Sequence, residues 1–267
     1  MIDLSVVMPV HNGESFILES IGRLEEFLQA WHRPYEIVVV DDGSSDSTAA
    51  LLSGLKYPSV RSVRLSHNSG KYAALKRGMD VTSGRCRIFT DADLPYELPA
   101  IPYICDLINN RGFHIVMGDR TLANSEYSVH LSAIRSAATE MFSFFVRLLV
   151  TGGLFDTQCG LKGFQGDVAG ALFPLVQDDS FSGDVELLYI ALKYNLVIRR
   201  IPVRLRRSGP SSVRVFRHAC QMLARISKLR RNWKKGYYYS ERLVTISDQS
   251  YWSNERPHRQ DRVQSKQ

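Results

Sequence analysis

The fold of the first half of this chain follows from one stretch, Glu36-Ile37-Val38-Val39-Val40-Asp41-Asp42-Gly43-Ser44. Its four consecutive β-branched residues predict a short buried strand, of the kind found inside a parallel sheet. The strand pattern stops at two aspartates followed by glycine, a combination that favours a turn. The stretch therefore predicts a strand with carboxylates at its carboxyl end, where open α/β sheets bind ligands.

The same pattern recurs on both sides of this stretch. A strand is predicted before it at Leu4–Pro9, followed by a helix from about Ser15 to Trp31. After it strands alternate with helices, the helices at Lys71–Val81 and Ile101–Asn109 and the strands at Val60–Leu65, Arg87–Thr90 and Ile115–Gly118. Such alternation is typical of an α/β fold whose mostly parallel sheet is flanked by crossover helices.

A second carboxylate pair, Asp91 and Asp93, follows the strand predicted at Arg87–Thr90. Mg²⁺ and Mn²⁺ prefer oxygen ligands and often carry substrate phosphates on their remaining positions. Because the first pair also ends a strand of this sheet, both pairs are expected at one edge, with Lys71 nearby for a diphosphate. Turn chemistry at the first pair and an ordinary surface lysine at Lys71 are the alternative interpretations.

The composition limits the class of protein. With 267 residues, 44% of them hydrophobic and 23% charged, the chain is expected to form one large α/β domain with a modest extension. It contains no uninterrupted apolar run of about 18 residues, which predicts no transmembrane span, and its first residues begin a strand pattern directly. The four cysteines lie far apart, so we expect reduced thiols in a cytoplasmic protein.

The net charge of +7 is concentrated in the last third of the chain. Fourteen lysines and arginines, and no aspartate or glutamate, lie between Leu187 and Ser240, so the remainder of the chain is net acidic. A basic zone of this kind suits phospholipid headgroups, a lipid phosphate or a nucleic acid. The alternative is a solvated basic surface without a partner.

Residues 212–244 are predicted to form a basic amphipathic helical extension to a domain at 1–211, with a polar, disordered tail at 245–267. Apolar and basic residues interleave over Val213–Leu229, and the aromatic residues Tyr237–Tyr239 follow. Such a helix favours the plane of a membrane surface over a span across the bilayer. The alternative is a helix that packs on the domain or on a membrane-anchored partner protein.

Four segments of the first half together resemble the inverting family-2 glycosyltransferases of GT-A fold. They are Ser5–Glu14, Val39–Ser44, Asn68–Lys71 and Asp91–Asp93. Four segments of the second half resemble the branch that transfers glucose or mannose to dolichyl phosphate, the glucosyl branch being nearer, and they are Gly118–Arg120, Ile134–Ser136, Asp156–Phe164 and Asp184–Leu188. The Gln-x-x-Arg-Trp signature of processive synthases is absent from the sequence, which predicts the addition of one sugar only.

The resemblance implies a metal-dependent hexosyltransferase that uses a nucleotide sugar, with UDP-glucose favoured over GDP-mannose. The residues that it assigns to the nucleotide-sugar site are Pro9, His11, Glu14, Asp41, Asp42, Lys71, Asp91, Ala92 and Asp93. Asp91 and Asp93 would hold Mg²⁺ or Mn²⁺ on the donor diphosphate. His11 stands where relatives have tyrosine or phenylalanine, which alters stacking on the base.

The resemblance also implies a polyprenyl or dolichyl phosphate as acceptor and a lipid-linked monosaccharide as product. The residues that it assigns to catalysis are Asp93, Arg120, Arg135, Gln158, Lys162 and Glu186. Arg120, Arg135 and Arg214 are expected at the acceptor phosphate, because a planar guanidinium suits two-point contact with phosphate. Without the resemblance, a structural ion pair at Arg120 and helix-surface charge at Arg135 are the alternatives. The acceptor loop at 208–214 lacks the lysine that is usual in the family.

The predicted enzyme acts as a peripheral protein at the cytoplasmic face of a membrane. A lipid phosphate is largely ionised near neutral pH, so its attack on a sugar needs no general base. The first alternative is a family-2 glycosyltransferase that acts on a glycan or protein hydroxyl, with Asp184 or Glu186 as the base. The second is a nucleic-acid-binding protein that uses the basic zone. The sequence shows no nucleic-acid-binding motif, so nucleic acid is not expected as a partner.

Overall fold

A computed structural model describes residues 1–126, 156–180, 183–205 and 227–248. Its centre is a seven-stranded sheet, with the strands β1 Leu4–Val10, β2 Tyr35–Asp41, β3 Val60–Arg64, β4 Cys86–Phe89, β5 Ile115–Asp119, β6 Lys162–Gln165 and β7 Ile198–Pro202. Their order across the sheet is β3-β2-β1-β4-β6-β5-β7. Strand β6 runs antiparallel to its neighbours β4 and β5, and the other pairs are parallel.

Helices connect and cover these strands. They are α1 Ile17–Gln29, α2 Thr48–Ser53, α3 Lys71–Val81, α4 Ala100–Arg111, α5 Gly166–Leu172 and α6 Gly183–Lys193, with a 3₁₀ turn at Phe173–Leu175. Residues 227–234 and 241–248 are also helical. The predicted α/β fold, a mostly parallel sheet flanked by helices, is confirmed, and α3 has the bounds that the sequence predicts.

The valine run of β2 is buried on both faces of the sheet. Val38 and Val40 belong to an apolar cluster that includes residues of α3 and α6. Ile37 and Val39 belong to a second cluster that includes residues of α1 and α4. Successive residues of a strand point to opposite faces, so a strand covered on both faces requires apolar residues at every position.

The sheet brings the chemically distinctive segments to one edge. Val10, at the end of β1, is in register with Asp41, at the end of β2. On the other side of β1, Val7 is in register with Phe89, the last residue of β4. Phe89 is in turn paired with Lys162, the first residue of the antiparallel strand β6. The carboxyl ends of β1, β2 and β4 therefore share one edge with the start of β6, the position expected for a ligand site.

Residues 227–248, which we call the C-terminal strap, pack on the domain. Tyr238 is buried, and the ring of Trp233 meets the rings of Tyr189 and Tyr194 edge-on, with centroids 6.3 and 5.6 Å apart. Aromatic pairs in this geometry contribute about 0.5–1.5 kcal/mol beyond their burial. The strap is therefore attached to α6 and its C-terminal end.

Some of the predicted features lie outside the described residues. They are Arg135, the loop at 208–214 with Arg214, and most of the helix at Val213–Leu229. The domain boundaries at 211 and 244 therefore stay a prediction. Within the strap, helix continues to residue 248, past the predicted start of the tail at 245. Among the described residues, no helix combines the length and the apolar character needed to cross a membrane.

Candidate active site

The loops after β1 and β2 are joined by hydrogen bonds between side chains and backbone. Glu14 Oε2 accepts from Ser47 N at 2.9 Å, and Glu14 N donates to Asp46 Oδ2 at 3.1 Å. Thr48 Oγ1 accepts from Gly13 N at 2.8 Å. The structure thus places Glu14 at the start of α2, where a carboxylate is favourable, and this contact fixes the two loops relative to each other.

Both carboxylate oxygens of Asp42 accept hydrogen bonds from backbone amides of the protein. Oδ1 accepts from Ser69 N at 2.7 Å, and Oδ2 accepts from Gly70 N at 2.9 Å. Hydrogen bonds to a charged group contribute about 1.5–3 kcal/mol each. Asp42 therefore holds the loop that leads into α3, the helix that begins with Lys71.

Asp41, in contrast, has a buried carboxylate oxygen that can still accept a hydrogen bond. Its Oδ1 accepts from Ser44 N at 2.8 Å. Its Oδ2 lies 3.3 Å from Arg64 Nε, close enough for an ion pair, but accepts no hydrogen bond from the described residues. A buried acceptor without a hydrogen bond costs about 1–3 kcal/mol. Asp41 is therefore suited to a ligand that brings a donor group to this oxygen.

His11 bridges two loops at the same edge. Its Nδ1 lies 2.9 Å from Asp42 O, and because a carbonyl only accepts, Nδ1 carries the proton. Its Nε2 accepts from Asn68 Nδ2 at 3.1 Å. These contacts hold the ring between the loop after β2 and the loop before α3. Pro9 precedes it in β1 and is partly buried.

Asp91 and Lys71, both predicted for the donor site, are in direct contact. Lys71 Nζ donates to Asp91 Oδ1 at 2.5 Å, and the lysine side chain is mostly buried. Burial lowers the pKa of Lys71, but the carboxylates of Asp91 and Asp184 outweigh burial and raise this pKa above its ordinary value. Ala92 is buried and Asp93 is exposed. The structure thus brings the charged Lys71 into contact with the carboxylate of Asp91 directly after β4.

The backbone passes directly over Asp91 at Gly160. A Cβ atom at position 160 would lie 1.9 Å from Asp91 Oδ2 and 2.6 Å from Asp91 Cγ. Only a residue without a side chain permits this approach of the backbone to the carboxylate. The segment that leads into β6 therefore forms one wall of the site.

Lys162 lies beneath this wall and is fully buried. Its Nζ donates to Asp184 Oδ1 at 2.5 Å and to Cys159 O at 2.7 Å. Tyr72 OH donates to the same Asp184 oxygen at 2.8 Å. Burial raises the pKa of Tyr72, and the charge of Asp184 raises it further, so the phenol keeps its proton. The arrangement holds the carbonyl of Cys159, the residue before Gly160.

Glu186 is also buried, with 3% of its surface exposed, and both of its oxygens accept hydrogen bonds. Oε2 accepts from Gln177 N at 3.0 Å and from Asp178 N at 2.7 Å. Oε1 accepts from Tyr238 OH in the C-terminal strap. The structure therefore places Glu186 at a junction between two segments of the protein.

Arg120 forms a two-point ion pair with Asp156. Arg120 Nε lies 2.6 Å from Asp156 Oδ2, and Arg120 Nη2 lies 2.7 Å from Asp156 Oδ1. Burial lowers the pKa of Arg120, but the hydrogen bonds and charge of Asp156 outweigh it and raise the pKa. The guanidinium is thereby oriented at the end of β5. Gln158 is exposed two residues after Asp156.

Three residues of this arrangement, Tyr72, Asp156 and Gly160, had no role assigned from the sequence. Tyr238 was expected with its neighbours beside a membrane-surface helix, and the structure instead buries it in the domain. Asp156 and Gly160 lie in a segment with family resemblance, so a motif was available as a signal. The partners of Tyr72 and Tyr238 lie 112 and 52 residues away in sequence, and no local pattern reveals such contacts.

The sheet order, the aspartates after β2 and β4 and the lysine beside Asp91 define a glycosyltransferase of GT-A fold. Glucosyl-3-phosphoglycerate synthase from Mycobacterium tuberculosis in complex with UDP has a TM-score of 0.63 and 22% identity, covering 85% of this chain and 79% of that chain. Mannosyl-3-phosphoglycerate synthase from Rubrobacter xylanophilus has a TM-score of 0.58 and 17% identity, covering 88% and 75%. At these identities the likeness shows the shared fold.

The sequence comparison narrows the class. The family model "Glycosyl transferase family 2" matches residues 5–171, and the chain belongs to this family. The dolichyl-phosphate beta-glucosyltransferase of Dictyostelium discoideum is 32% identical to it, over 88% of this chain and 76% of the relative. The human protein of the same name is 31% identical, over 75% of this chain and 66% of the relative. The predicted family membership is therefore confirmed.

Proposed function

We propose that the chain is an inverting hexosyltransferase that transfers glucose from UDP-glucose to a polyprenyl or dolichyl phosphate. The product is a lipid-linked monosaccharide, and GDP-mannose is the second candidate donor. Relatives named dolichyl-phosphate beta-glucosyltransferase support both the sugar and the acceptor. The observation that carries the proposal is the contact of Asp91 with Lys71 at the carboxyl edge of the sheet, closed on one side by Gly160.

Asp41 is proposed to bind the nucleoside. Its Oδ2 is a buried acceptor that suits the N3–H of uracil or a ribose hydroxyl, and either donor would supply the hydrogen bond that the described residues do not give it. Asp42 and His11 act on the same pocket by fixing the loops around it. A structural neighbour of GT-A fold was crystallised with UDP, which supports a nucleoside at this edge.

A divalent cation, Mg²⁺ or Mn²⁺, is proposed to bind at Asp91 and Asp93. Their oxygens are the ligands that these hard cations prefer. The described residues contain no group of three or more His, Cys, Asp or Glu side chains that could hold a metal ion, so the donor diphosphate would supply further ligands. When bound, the cation would act as a Lewis acid on the leaving diphosphate. A glucosyl-3-phosphoglycerate synthase crystallised with Mn²⁺ and UDP supports this choice.

The acceptor phosphate is proposed to attack C1 of glucose from the face opposite to the diphosphate. The bond between C1 and the diphosphate oxygen breaks, and its electron pair leaves with UDP, so the configuration at C1 is inverted. A phosphate monoester is largely dianionic near neutral pH, so no side chain has to remove a proton. Lys71, charged and beside Asp91, offsets part of the negative charge of the diphosphate.

Two anions approach each other in this reaction, and arginines are proposed to offset their repulsion. Arg120, held by Asp156 with its side chain partly exposed, is proposed to contact the acceptor phosphate. Arg135 and Arg214 are proposed to complete this contact, with Gln158 nearby. Lys162 and Glu186 are buried and bound to other groups of the protein, so their contribution is proposed to be one of position.

A hydroxyl acceptor would need a general base, and both candidate bases are occupied. Asp184 accepts from Lys162 and Tyr72, and Glu186 accepts from backbone amides and from the strap. Each carboxylate residue is only 3% exposed. These observations favour a phosphate acceptor over a glycan or protein hydroxyl. Membership of glycosyl transferase family 2 likewise favours a transferase over a nucleic-acid-binding protein.

The enzyme is proposed to work at the cytoplasmic face of a membrane as a peripheral protein. The exposed residues of the C-terminal strap include six cations, and they are Lys228, Arg230, Arg231, Lys234, Lys235 and Arg242. Each basic residue close to an anionic leaflet contributes about 1 kcal/mol, so such a group supports reversible binding to a lipid surface. A membrane-anchored protein with an acidic surface is the alternative partner.

Nucleotide release by the purified protein tests the proposed function. UDP-glucose and GDP-mannose are offered separately with Mg²⁺ or Mn²⁺, with and without polyprenyl phosphate. We expect release of UDP only when the lipid is present, and a loss of at least about a hundredfold in Asp93→Ala. Asp106→Ala, which removes a partly exposed carboxylate on α4, is the control. Activity on a sugar or peptide hydroxyl, without activity on any lipid phosphate, would refute the acceptor assignment.

A further inference from the structure

The bracket loop, which we define as residues 177–180, connects the C-terminal strap to the start of α3. On the side of the strap, Glu186 Oε2 accepts from Gln177 N and Asp178 N, while Glu186 Oε1 accepts from Tyr238 OH. Tyr238 is 1% exposed. One buried carboxylate thus joins the bracket loop to a tyrosine 52 residues further along the chain.

On its other side, the bracket loop contacts the residues that flank Lys71. Asp179 O accepts from Tyr72 N at 2.9 Å, and Asp179 Oδ1 lies 2.6 Å from Lys76 Nζ. A Cβ atom at Gly70 would lie 2.4 Å from Asp179 O, and Gly70 has a φ of +102°. The loop therefore touches the backbone on both sides of Lys71, at a position that requires glycine.

Lys71 extends from a backbone that is held from two directions. Gly70 N donates to Asp42 Oδ2 at 2.9 Å, and the next residue but one, Tyr72, is held by the bracket loop. Lys71 Nζ then reaches Asp91 Oδ1 at 2.5 Å. A displacement of the bracket loop would move this backbone and, with it, the cation beside Asp91.

We propose that Tyr238 and Glu186 form a positioning pair that holds the bracket loop, and through it Lys71, in the conformation that binds the donor diphosphate. The proposal deepens the function proposed above and rests on it for the identity of the donor. Neither residue touches the donor, because both are buried at the junction of the strap and the domain. The C-terminal strap is therefore part of the support of the donor site.

The contact between Tyr238 and Glu186 is specific because its groups are buried. Burial raises the pKa of Tyr238 and Glu186 raises it further, so the phenol keeps the proton that it donates. Asn232 Nδ2 donates to the Tyr238 hydroxyl at 3.1 Å. Tyr238→Phe would leave a carboxylate oxygen and an amide unpaired, and the carboxylate can regain partners only by moving. Such a move would shift the bracket-loop amides that Glu186 binds.

Hydrogen exchange of the ligand-free protein is the first test, because it requires no donor. The Tyr72 amide donates to Asp179 O, and its protection factor is expected to fall at least about tenfold in Tyr238→Phe. Tyr103→Phe makes the same chemical change at an exposed position of α4 and is expected to match wild type. Unchanged protection of Tyr72 in folded Tyr238→Phe would overturn the proposal.

Kinetics supply the second readout. In Tyr238→Phe we expect the KM for UDP-glucose to rise roughly fivefold or more, while the KM for polyprenyl phosphate changes by less than about twofold. A purely structural role would lower the melting temperature and the amount of active enzyme but leave the KM for UDP-glucose unchanged, and that result would overturn the proposal. Wild-type protein that releases no UDP would refute the proposed function, and the exchange of Tyr72 would then decide the positioning role alone.

A second variant, on the α3 side of the bracket loop, keeps the proposal testable if Tyr238→Phe does not fold. Lys76→Met removes the ion pair with Asp179 from a partly exposed side chain, so the folded state is expected to persist. We expect faster exchange of the Tyr72 amide and a higher KM for UDP-glucose, in the same direction as for Tyr238→Phe. If Lys76→Met changes neither quantity and Tyr238→Phe does not fold, the bracket loop does not position Lys71.

Discussion

Gly160 lies against Asp91 so closely that a Cβ atom at position 160 would lie 1.9 Å from Asp91 Oδ2. Gly160→Ala must therefore displace either the carboxylate or the wall of the site. We expect kcat/KM for UDP-glucose to fall at least about a hundredfold, since displacements of about 1 Å in a catalytic site have this effect. Gly54→Ala is the matched control, because its Cβ would meet no atom closer than 3.6 Å. Equal activity of the two variants would contradict this role of Gly160.

The buried pair of Lys162 and Asp184 makes a prediction about stability. Lys162→Met leaves the charge of Asp184 buried with only the Tyr72 hydroxyl as a described donor. We expect the free energy of unfolding, measured by urea denaturation, to fall by about 3–5 kcal/mol. Lys162→Met/Asp184→Leu removes both charges and is expected to recover part of this loss. A double variant that is less stable than Lys162→Met would show that the uncompensated charge is not the cause.

Asp41 and Asp42 are adjacent but are expected to respond differently to the same change. Asp42→Asn turns an NH₂ group towards one of two backbone amides, so the free energy of unfolding is expected to fall by about 1–3 kcal/mol. Asp41→Asn replaces the carboxylate oxygen beside Arg64, which accepts no hydrogen bond from the described residues, by an NH₂ group that donates. We expect the affinity for UDP, measured by calorimetry, to fall about tenfold. The lost ion pair with the mostly exposed Arg64 is expected to lower the free energy of unfolding by less than about 1 kcal/mol. If Asp41→Asn instead lowered mainly the stability and Asp42→Asn mainly the affinity for UDP, these assignments would be wrong.

Stability is expected to depend on pH through His114. Its Nδ1 accepts from Val197 N at 3.0 Å, so the buried ring is neutral, and burial lowers its pKa. In the unfolded chain this histidine has an ordinary pKa of about 6.5. Just below that pH the unfolded chain therefore binds a proton that the folded protein does not bind. The free energy of unfolding therefore falls as the pH drops below that value, whereas above it the contribution is fully present.

Urea denaturation of wild type and His114→Gln checks this expectation. The glutamine does not titrate, so its stability should fall less than that of wild type between about pH 7.5 and about pH 5.5. An equal fall in both proteins would assign the pH dependence to other groups.

Much of the fold could be predicted because its signals are local. The apolar run of β2 and the helix at α3 each depend on residues within a few positions of one another, and the structure has both where the sequence predicts them. The proximity of Asp91 and Lys71 could also be predicted from the sequence. That prediction needs only the rule that parallel strands and the helices between them share an edge.

The roles of Lys162 and Glu186 could not be derived in the same way. The resemblance assigns both to catalysis, whereas the structure shows both buried, Lys162 bound to Asp184 and Glu186 bound to Tyr238. Asp184 and Glu186 are two positions apart on α6, so their side chains point about 200° apart and meet different segments. Which segment each side chain meets depends on the packing of the whole domain. A local pattern does not contain that information.

The Arg120–Asp156 ion pair joins the two ends of a chain segment, since its members are 36 residues apart. A segment clamped at its base can change in length and sequence without disturbing the strands on either side, because the entropy of loop closure grows only slowly with length. Arg135, proposed to contact the acceptor, lies within this segment. If Arg135 contacts the acceptor as proposed, substitutions confined to this segment change the acceptor preference and leave the donor site in place.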